Sequence, residues 1–144
     1  MARTLTAANA VITLAVPGLF PVPQQLHGFS ADNVYESPGV DVNETAMGVD
    51  GYLSAGFVFN HIEQTFTLQA DSLSNDMFEQ WDATMRQVRD TYFAEGTTTL
   101  PSLQRRFVSQ RGVLVNLPKF PTANKITQPR RYTIRWQSVT AVSI

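Results

Sequence analysis

The 144-residue chain contains no cysteine and only two histidines. The absence of cysteine excludes a disulfide framework, a thiolate zinc site and a cysteine nucleophile. Charged residues make up 16% of the sequence, which is below the roughly 25% usual in globular proteins. The net charge is only −1. Because a lightly charged, nearly neutral surface favours association, this composition indicates that much of the surface is hidden in an assembly.

The chain also lacks long hydrophobic runs. None approaches the roughly 18 apolar residues of a membrane span. Residues 10–16, AVITLAV, follow a basic residue as in a signal peptide, but Pro17 and Gly18 end the run and no clean cleavage site follows. We interpret this run as a first β-strand. The length fits one domain, residues 1–144, in which the small and polar residues 1–9 form an N-terminal arm.

Motifs for chemistry are missing as well. His27 and His61 belong to no metal-ligand spacing, and the chain has no P-loop, dinucleotide-binding glycine motif or nucleophile elbow. The segment from Gly48 to Gly51 lacks the oxygen ligands of a calcium loop. We therefore expect neither an enzyme nor a bound metal or cofactor.

Charge is distributed unevenly along the chain. All 12 acidic residues lie between Asp32 and Glu95, where only Arg86 and Arg89 are basic. Residues 96–144 hold eight of the 11 basic residues and no acidic residue. Such asymmetry fits solvated strand faces, a nucleic-acid surface, or a subunit whose acidic surface meets the basic surface of the next copy.

One amphipathic helix is predicted, over about residues 74–92. Its apolar residues recur at spacings of three and four and comprise Phe78, Trp81, Met85, Val88 and Tyr92. Ser74 or Asn75 is expected to cap its N-terminus. Gly96 is expected to end it.

The rest of the chain is predicted to be strands and loops. Strands are expected at 10–16, 24–30, 33–42 with a break at Pro38, 54–60, 65–70, 106–109, 112–117 and 131–142. Loops are expected at 17–23, 43–52, 97–102 and 118–129. A tight turn near residues 60–64 is expected to join the strands at 54–60 and 65–70 as a hairpin. The predicted fold class is α+β, mainly β: a sandwich or barrel-like domain with one packed helix.

The last strand, from Arg131 to Val142, alternates, so that Tyr132, Ile134 and Trp136 share one face. Basic residues interleaved with aromatics are also typical of small β-barrels that bind single-stranded nucleic acid. Here Arg135 lies on the face opposite the aromatic residues, which favours a packed core instead.

The order of these features resembles the tail tube proteins of contractile-tailed bacteriophages and the related pyocin and type VI secretion tubes. The resemblance is carried by MGVDG at 47–51 before a strand, and by TFTL at 65–68 running into SLSND at 72–76 and the helix. It spans roughly residues 10–142. The loops at 17–23 and 118–129 depart from it.

The resemblance implies a structural protein of the virion tail, assembled in the host cytoplasm. Such subunits form hexameric rings that stack into a hollow tube, with strands forming an inner barrel and the helix outside. The implied partners are other copies, the sheath, the tape measure protein, the baseplate and the tail terminator. Genomic DNA passes through the lumen without specific binding. In a secretion tube or pyocin, no DNA would pass.

Two sets of residues are the candidate contacts under this resemblance. The loop at about residues 42–53 matches the segment that reaches the neighbouring ring, and it is expected to become ordered only in a tube. Ring–ring or lumen contacts are expected from Asp41, Glu44, Met47, Val49, Asp50, Tyr52 and Glu63. A basic counter-surface is expected from Arg105, Arg106, Arg111, Arg130, Arg131 and Arg135.

Overall fold

A computed structural model describes residues 9–30 and 33–144. The predicted N-terminal arm therefore lies outside the described residues, apart from Asn9. The described residues form nine strands, one α-helix and a short 3-10 helix. In chain order these are β1 (Val11–Val16), β2 (Phe20–Gln25), β3 (Tyr35–Glu36), β4 (Asn43–Met47), β5 (Leu53–Phe57), β6 (Ile62–Leu68), α1 (Ser74–Val88), β7 (Ala94–Leu100), the 3-10 helix (Pro101–Leu103), β8 (Arg105–Asn116) and β9 (Arg130–Ser143).

Seven strands form one antiparallel sheet in the order β2-β1-β7-β8-β9-β6-β3. Strands β4 and β5 form a separate two-stranded hairpin. The predicted fold class, mainly β with one packed helix, is confirmed. The barrel description needs correction, because the two outermost strands, β2 and β3, do not pair and the sheet stays open.

The core lies between the helix and one face of the sheet. Tyr132, Ile134 and Trp136 of β9 are all buried, which confirms the face predicted for the last strand. Phe78 of α1 stacks on Tyr132, with ring centroids 4.2 Å apart and planes 9° from parallel. Trp81 is fully buried beside Phe78. The first part of the predicted stripe is therefore packing surface, whereas Val88 near its end is 50% exposed.

The helix is shorter than predicted. It ends at Val88 rather than at residue 92, because Arg89 adopts a left-handed conformation (φ 57°) and donates its N–H to the Met85 carbonyl. At the other end, the predicted caps are wrong: the N-cap position is Leu73, which makes no side-chain cap bond. The Ser74 N–H instead donates to the Ser72 hydroxyl at 3.2 Å.

Several strands differ from the prediction. The sequence FPVPQQ at 20–25 forms β2, partly in the segment predicted as a loop. Its prolines are tolerated because β2 is an edge strand. The segment predicted as a loop at 97–102 largely belongs to β7, whose β-branched residues from Thr97 to Thr99 pair on both sides with β1 and β8.

The predicted hairpin between residues 54–60 and 65–70 is also wrong. Strand β5 pairs with β4, whereas β6 pairs with β9 and β3. The alternation of β6 is the reason: Phe66 and Leu68 are buried and require a place in the main sheet, while β5 has no buried residue.

Strand β8 replaces the two short strands expected at 106–109 and 112–117. It bends at Arg111, which has a left-handed backbone conformation (φ 50°). Beside the bend, Gly112 lies directly under the ring of Trp136. Gly112 pairs with Trp136 on one side of the bend, and Ser109 pairs with Val139 on the other side. Both pairs face the core although they lie three residues apart along each strand, so the simple alternation of inward and outward side chains is interrupted at the bend. We call this the change of parity.

Candidate assembly surfaces

The hairpin β4–β5 is exposed along its whole length. All ten strand residues are exposed. Opposite residues share a face, and the pairs Met47–Leu53 and Asn43–Phe57 lie on the same face. Met47, Leu53 and Phe57 are 67%, 54% and 66% exposed. Asn43, Thr45 and Ala55 share this face with them. Within the described residues, the hairpin therefore presents an uncovered and largely apolar face, which we call the hairpin face.

The hairpin tip has a defined conformation. The Gly48 N–H donates to the Tyr52 carbonyl at 2.8 Å, and the Tyr52 N–H donates to Asp50 Oδ1 at 3.1 Å. Gly51 has a φ of 85°, which favours glycine. The segment predicted as a loop at 42–53 is thus most of a hairpin. It contains five predicted contact residues, all exposed: Glu44, Met47, Val49, Asp50 and Tyr52. Asp41, the sixth, is also exposed and lies two residues before β4.

Glu63, the seventh predicted contact residue, lies apart from the hairpin on β6. Its carboxylate accepts hydrogen bonds from Arg135 Nη2 at 2.6 Å and Nε at 3.2 Å. Arg131 similarly pairs with Glu36. Residues of the acidic and basic segments therefore neutralise each other within one chain, on the face of the sheet opposite the helix.

That outer face of the sheet is polar. Hydroxyl pairs cross it between Thr13 and Thr97 at 2.7 Å and between Thr65 and Thr133 at 3.0 Å. The Glu63–Arg135 pair lies on the same face. Hydroxyl groups and paired charges therefore predominate in these parts of the outer face, with Val108 and Val113 beside them.

The six arginines predicted as a counter-surface are dispersed. Arg130 is 6% exposed, and its guanidinium donates to Glu79 at 2.6 Å and to the Pro118 carbonyl at 2.8 Å. Arg111 lies over the Phe93 ring at 4.0 Å. Arg131 and Arg135 lie on the outer face. Arg105 and Arg106 are exposed at the start of β8, and a counter-surface role for this set stays a prediction.

An apolar groove, which the sequence did not predict, lies on the core face of the sheet beyond the helix. Its volume is about 220 Å³. It is lined by Tyr35, Ser37, Ile62, Gln64, Thr98, Phe107, Ser109, Trp136 and Val139. The change of parity at the Arg111 bend brings Trp136 and Val139 to the same cavity. Strict alternation along β9 would place these two side chains on opposite faces of the sheet.

The buried amide and indole groups in this groove already have partners. Trp136 Nε1–H donates to Gln64 Oε1 at 3.0 Å. Gln64 Nε2 donates to the Thr98 hydroxyl at 3.2 Å. Because its buried amide and indole groups are satisfied, the groove offers mainly apolar contact to whatever occupies it.

The titrating groups with shifted pKa are structural. Burial raises the pKa of Tyr132 to about 12, and its hydroxyl bonds Asn75 Oδ1 at 2.9 Å. Burial also raises the pKa of Tyr35. The burial of Asp82 alone would raise its pKa, but hydrogen bonds from Lys119 and Arg86 lower it.

Metal, membrane and nucleic-acid binding each require a particular arrangement of residues. Among residues 9–30 and 33–144, no three His, Asp or Glu side chains are grouped so as to hold a metal ion. In the same part of the chain, no helix is long and apolar enough to cross a membrane. The aromatic side chains of β9 are buried, so they cannot stack on bases as the nucleic-acid alternative requires.

Comparison with solved structures identifies the class of fold. A chain of the anti-feeding prophage (AFP) baseplate has a TM-score of 0.67 at 14% identity, covering 99% of this chain and 98% of that chain. A chain of the AFP tube terminating cap has a TM-score of 0.62 at 12% identity, covering 100% and 94%. A chain of the sheath–tube complex of PVC, an extracellular contractile injection system, has a TM-score of 0.61 at 9% identity, covering 98% and 93%. This chain shares the fold of contractile-injection-system components.

The family follows from the sequence. The family model described as tail fiber protein gp32 matches residues 3–140, so the chain belongs to that family. No curated protein matches the chain significantly in sequence. The predicted resemblance to the proteins of contractile tails is confirmed, and family and fold together support a structural role in a tail or tail-like particle.

Proposed function

We propose that this chain is a self-assembling subunit of a contractile tail tube. Copies join side by side in rings, six to a ring, and the rings stack into a hollow tube. The tube conducts the tape measure protein and then genomic DNA, and it meets the sheath, the baseplate and the tail terminator. The particle is assembled in the host cytoplasm and functions as part of the virion tail.

The observation that carries this proposal is the uncovered hairpin face. An isolated two-stranded hairpin is at best marginally stable in water, and a contiguous exposed apolar surface marks an interaction site. Met47, Leu53 and Phe57 of the hairpin face are each more than half exposed. Hydrogen bonds within the tip fix its backbone but do not cover these side chains. A second copy that covers the hairpin face would bury this surface in every subunit.

The unlike edges of the sheet support the same proposal. Among the described residues, the sheet ends on one side in β2, whose prolines protect it, and on the other side in the two-residue strand β3. Unlike contact surfaces on one subunit generate closed rings and stacked assemblies. The outer face, with its hydroxyl and ion pairs, suits the wall of a lumen through which polyanionic DNA passes without counterion-releasing contacts.

Sedimentation of the purified chain tests the proposal. Changing Met47, Leu53 and Phe57 together to serine removes the hairpin face, and we expect this variant to stay monomeric where the unchanged chain forms rings or tubes. The matched control is Ala46→Ser, on the opposite face of the same hairpin. Equal assembly of the triple variant and the control would refute a role for the hairpin face.

Charge reversal tests the roles of two acidic residues, Asp50 and Glu63, one at a time. Asp50 makes no ion pair within the described residues, but its carboxylate accepts the Tyr52 N–H. Asp50→Lys therefore removes one hydrogen bond of the tip in addition to any contact between copies, and Asp50→Asn, which keeps an acceptor oxygen, is its control. Glu63→Lys also breaks the pair with Arg135. Normal tube length and normal DNA delivery in both variants would exclude ring-joint and lumen roles for these two carboxylates.

A further inference from the structure

We propose that the groove beside Trp136 receives the hairpin face of a second copy of this chain. The inference rests on the proposed function, because it names the surface that the hairpin contacts. Each copy would then insert its hairpin into one neighbour and accept the hairpin of another.

The size of the groove favours side chains as its occupants. Its volume of about 220 Å³ lies below the roughly 300–1,000 Å³ of small-molecule sites. Phe107 forms one wall and is only half-buried, and it does not belong to the buried core or to the side chains packed against that core. Its ring is therefore available for an incoming apolar group.

The hairpin matches this groove in chemistry. The hairpin face carries the apolar side chains of Met47, Leu53 and Phe57. The other face carries Glu44, Ala46, Ser54 and Gly56 by the same pairing. The hairpin face holds the larger apolar side chains of the two strands, so its burial gives the hairpin a preferred orientation in the groove. In the described part of the chain, both the hairpin face and the groove are uncovered, so one is free to bury the other.

Charge favours the same occupant. Between Pro38 and Asn60 the sequence has three acidic residues and no basic residue. Arg105 lies two residues before Phe107 on the same face of β8, which places it at the rim of the groove. Arg105 and Arg106 form no ion pair with any residue in the described ranges. Attraction between the acidic hairpin and this basic rim increases the rate at which two copies associate and fixes the direction in which the hairpin inserts.

Donor and receiver are different surfaces of one chain, so the contact is heterologous. Heterologous contacts either close into rings or continue as open helical assemblies. This contact therefore suits a tube, and it predicts that blocking the groove in one copy stops growth at that copy.

Engineered cysteines provide the test, because the chain has no cysteine of its own. One protein carries Met47→Cys, Leu53→Cys or Phe57→Cys, and a second protein carries Phe107→Cys. The two are mixed, allowed to assemble and oxidised, and disulfide-linked dimers are measured on denaturing gels. We expect linkage with at least one hairpin position. We expect little with the control pair of Ala46→Cys and Val108→Cys, which lie on the opposite faces.

A substitution without cysteine gives an independent readout. Phe107→Ser should weaken association about tenfold or more, as loss of an apolar anchor at an interface does. Val108→Ser, on the outer face of the same strand, should leave association unchanged. Unfolding of both variants is measured alongside, so that a loss of association is not mistaken for a loss of fold.

The outcomes distinguish the two proposals. One outcome is that rings or tubes form without any disulfide linkage at Phe107→Cys and without any effect of Phe107→Ser. This outcome would show that the groove does not receive the hairpin, and it would leave the proposed function intact. Absence of any self-assembly, even with isolated baseplates added as nuclei, would overturn both. Linkage in assembled material, together with weaker association of Phe107→Ser, supports the groove.

Discussion

Replacing Gly112 by alanine places a methyl group against the ring of Trp136. An ideal Cβ at this position would lie 2.6 Å from Trp136 Cζ3, closer still to Cε3, and 2.9 Å from Ile134 Cγ2. Trp136 cannot move aside easily, because it is 1% exposed and its Nε1–H is bonded to Gln64 at 3.0 Å. The structure must therefore distort to accept one methyl group.

Overpacking of this kind costs about 1–3 kcal/mol, and occasionally more. Three close contacts to buried groups place Gly112→Ala at the upper end, about 3 kcal/mol. For a domain of this size, that cost corresponds to a decrease of roughly 10 °C in the unfolding midpoint. Denaturant unfolding followed by tryptophan fluorescence measures the change, at a fixed protein concentration because assembly also shifts apparent stability.

The matched control is Gly56→Ala in β5. A Cβ at Gly56 would have no atom within 4 Å, and alanine loses less backbone entropy than glycine on folding. The control should therefore be neutral or slightly stabilised. Equal unfolding midpoints for Gly112→Ala and Gly56→Ala would refute the packing described at the β8 bend, and with it the shape of the groove.

Three further predictions concern pH and dynamics. Because burial raises the pKa of Tyr132 to about 12, this group stabilises the fold fully below its unfolded pKa of about 10. That contribution is lost as the pH rises toward 12, and alkaline unfolding of Tyr132→Phe should lack this loss. Burial alone would raise the pKa of Asp82, but hydrogen bonds from Lys119 and Arg86 lower it. The ionised carboxylate of Asp82 therefore stabilises the folded state above about pH 4, and this stabilisation is lost on further acidification. Asp82→Asn should cost up to about 1 kcal/mol at pH 7, and the cost should vanish near pH 2 in acid titrations monitored by circular dichroism. Amide exchange in residues 42–53 should be faster in isolated subunits than in tubes, and equal protection would contradict coverage of the hairpin.

The sequence predicted best where one alternating or helical pattern was decisive. The alternation of Tyr132, Ile134 and Trp136 gave the buried face of β9 correctly, because nothing interrupts that part of the strand. The stripe containing Phe78 and Trp81 gave the helix. Its end was misplaced because Arg89, rather than a glycine, adopts the left-handed conformation that stops it.

The pairing of strands that are distant along the chain could not be predicted from the sequence. Residues 54–60 and 65–70 look like a hairpin from sequence separation alone, but β6 pairs with β9, more than 60 residues away. The groove depends on the bend at Arg111, whose positive φ no residue pattern announces. Among the predicted contacts, the hairpin residues do lie together, whereas Glu63 and the arginines are separated by the fold and several are paired within the chain.

Negative-stain electron microscopy of the purified chain shows whether it forms a tube. We expect hollow rings or tubes with sixfold end views, which disappear when Met47, Leu53 and Phe57 are changed to serine and persist with Ala46→Ser. A monodisperse monomer of 16.0 kDa at every concentration, even with isolated baseplates added as nuclei, would contradict the proposed function.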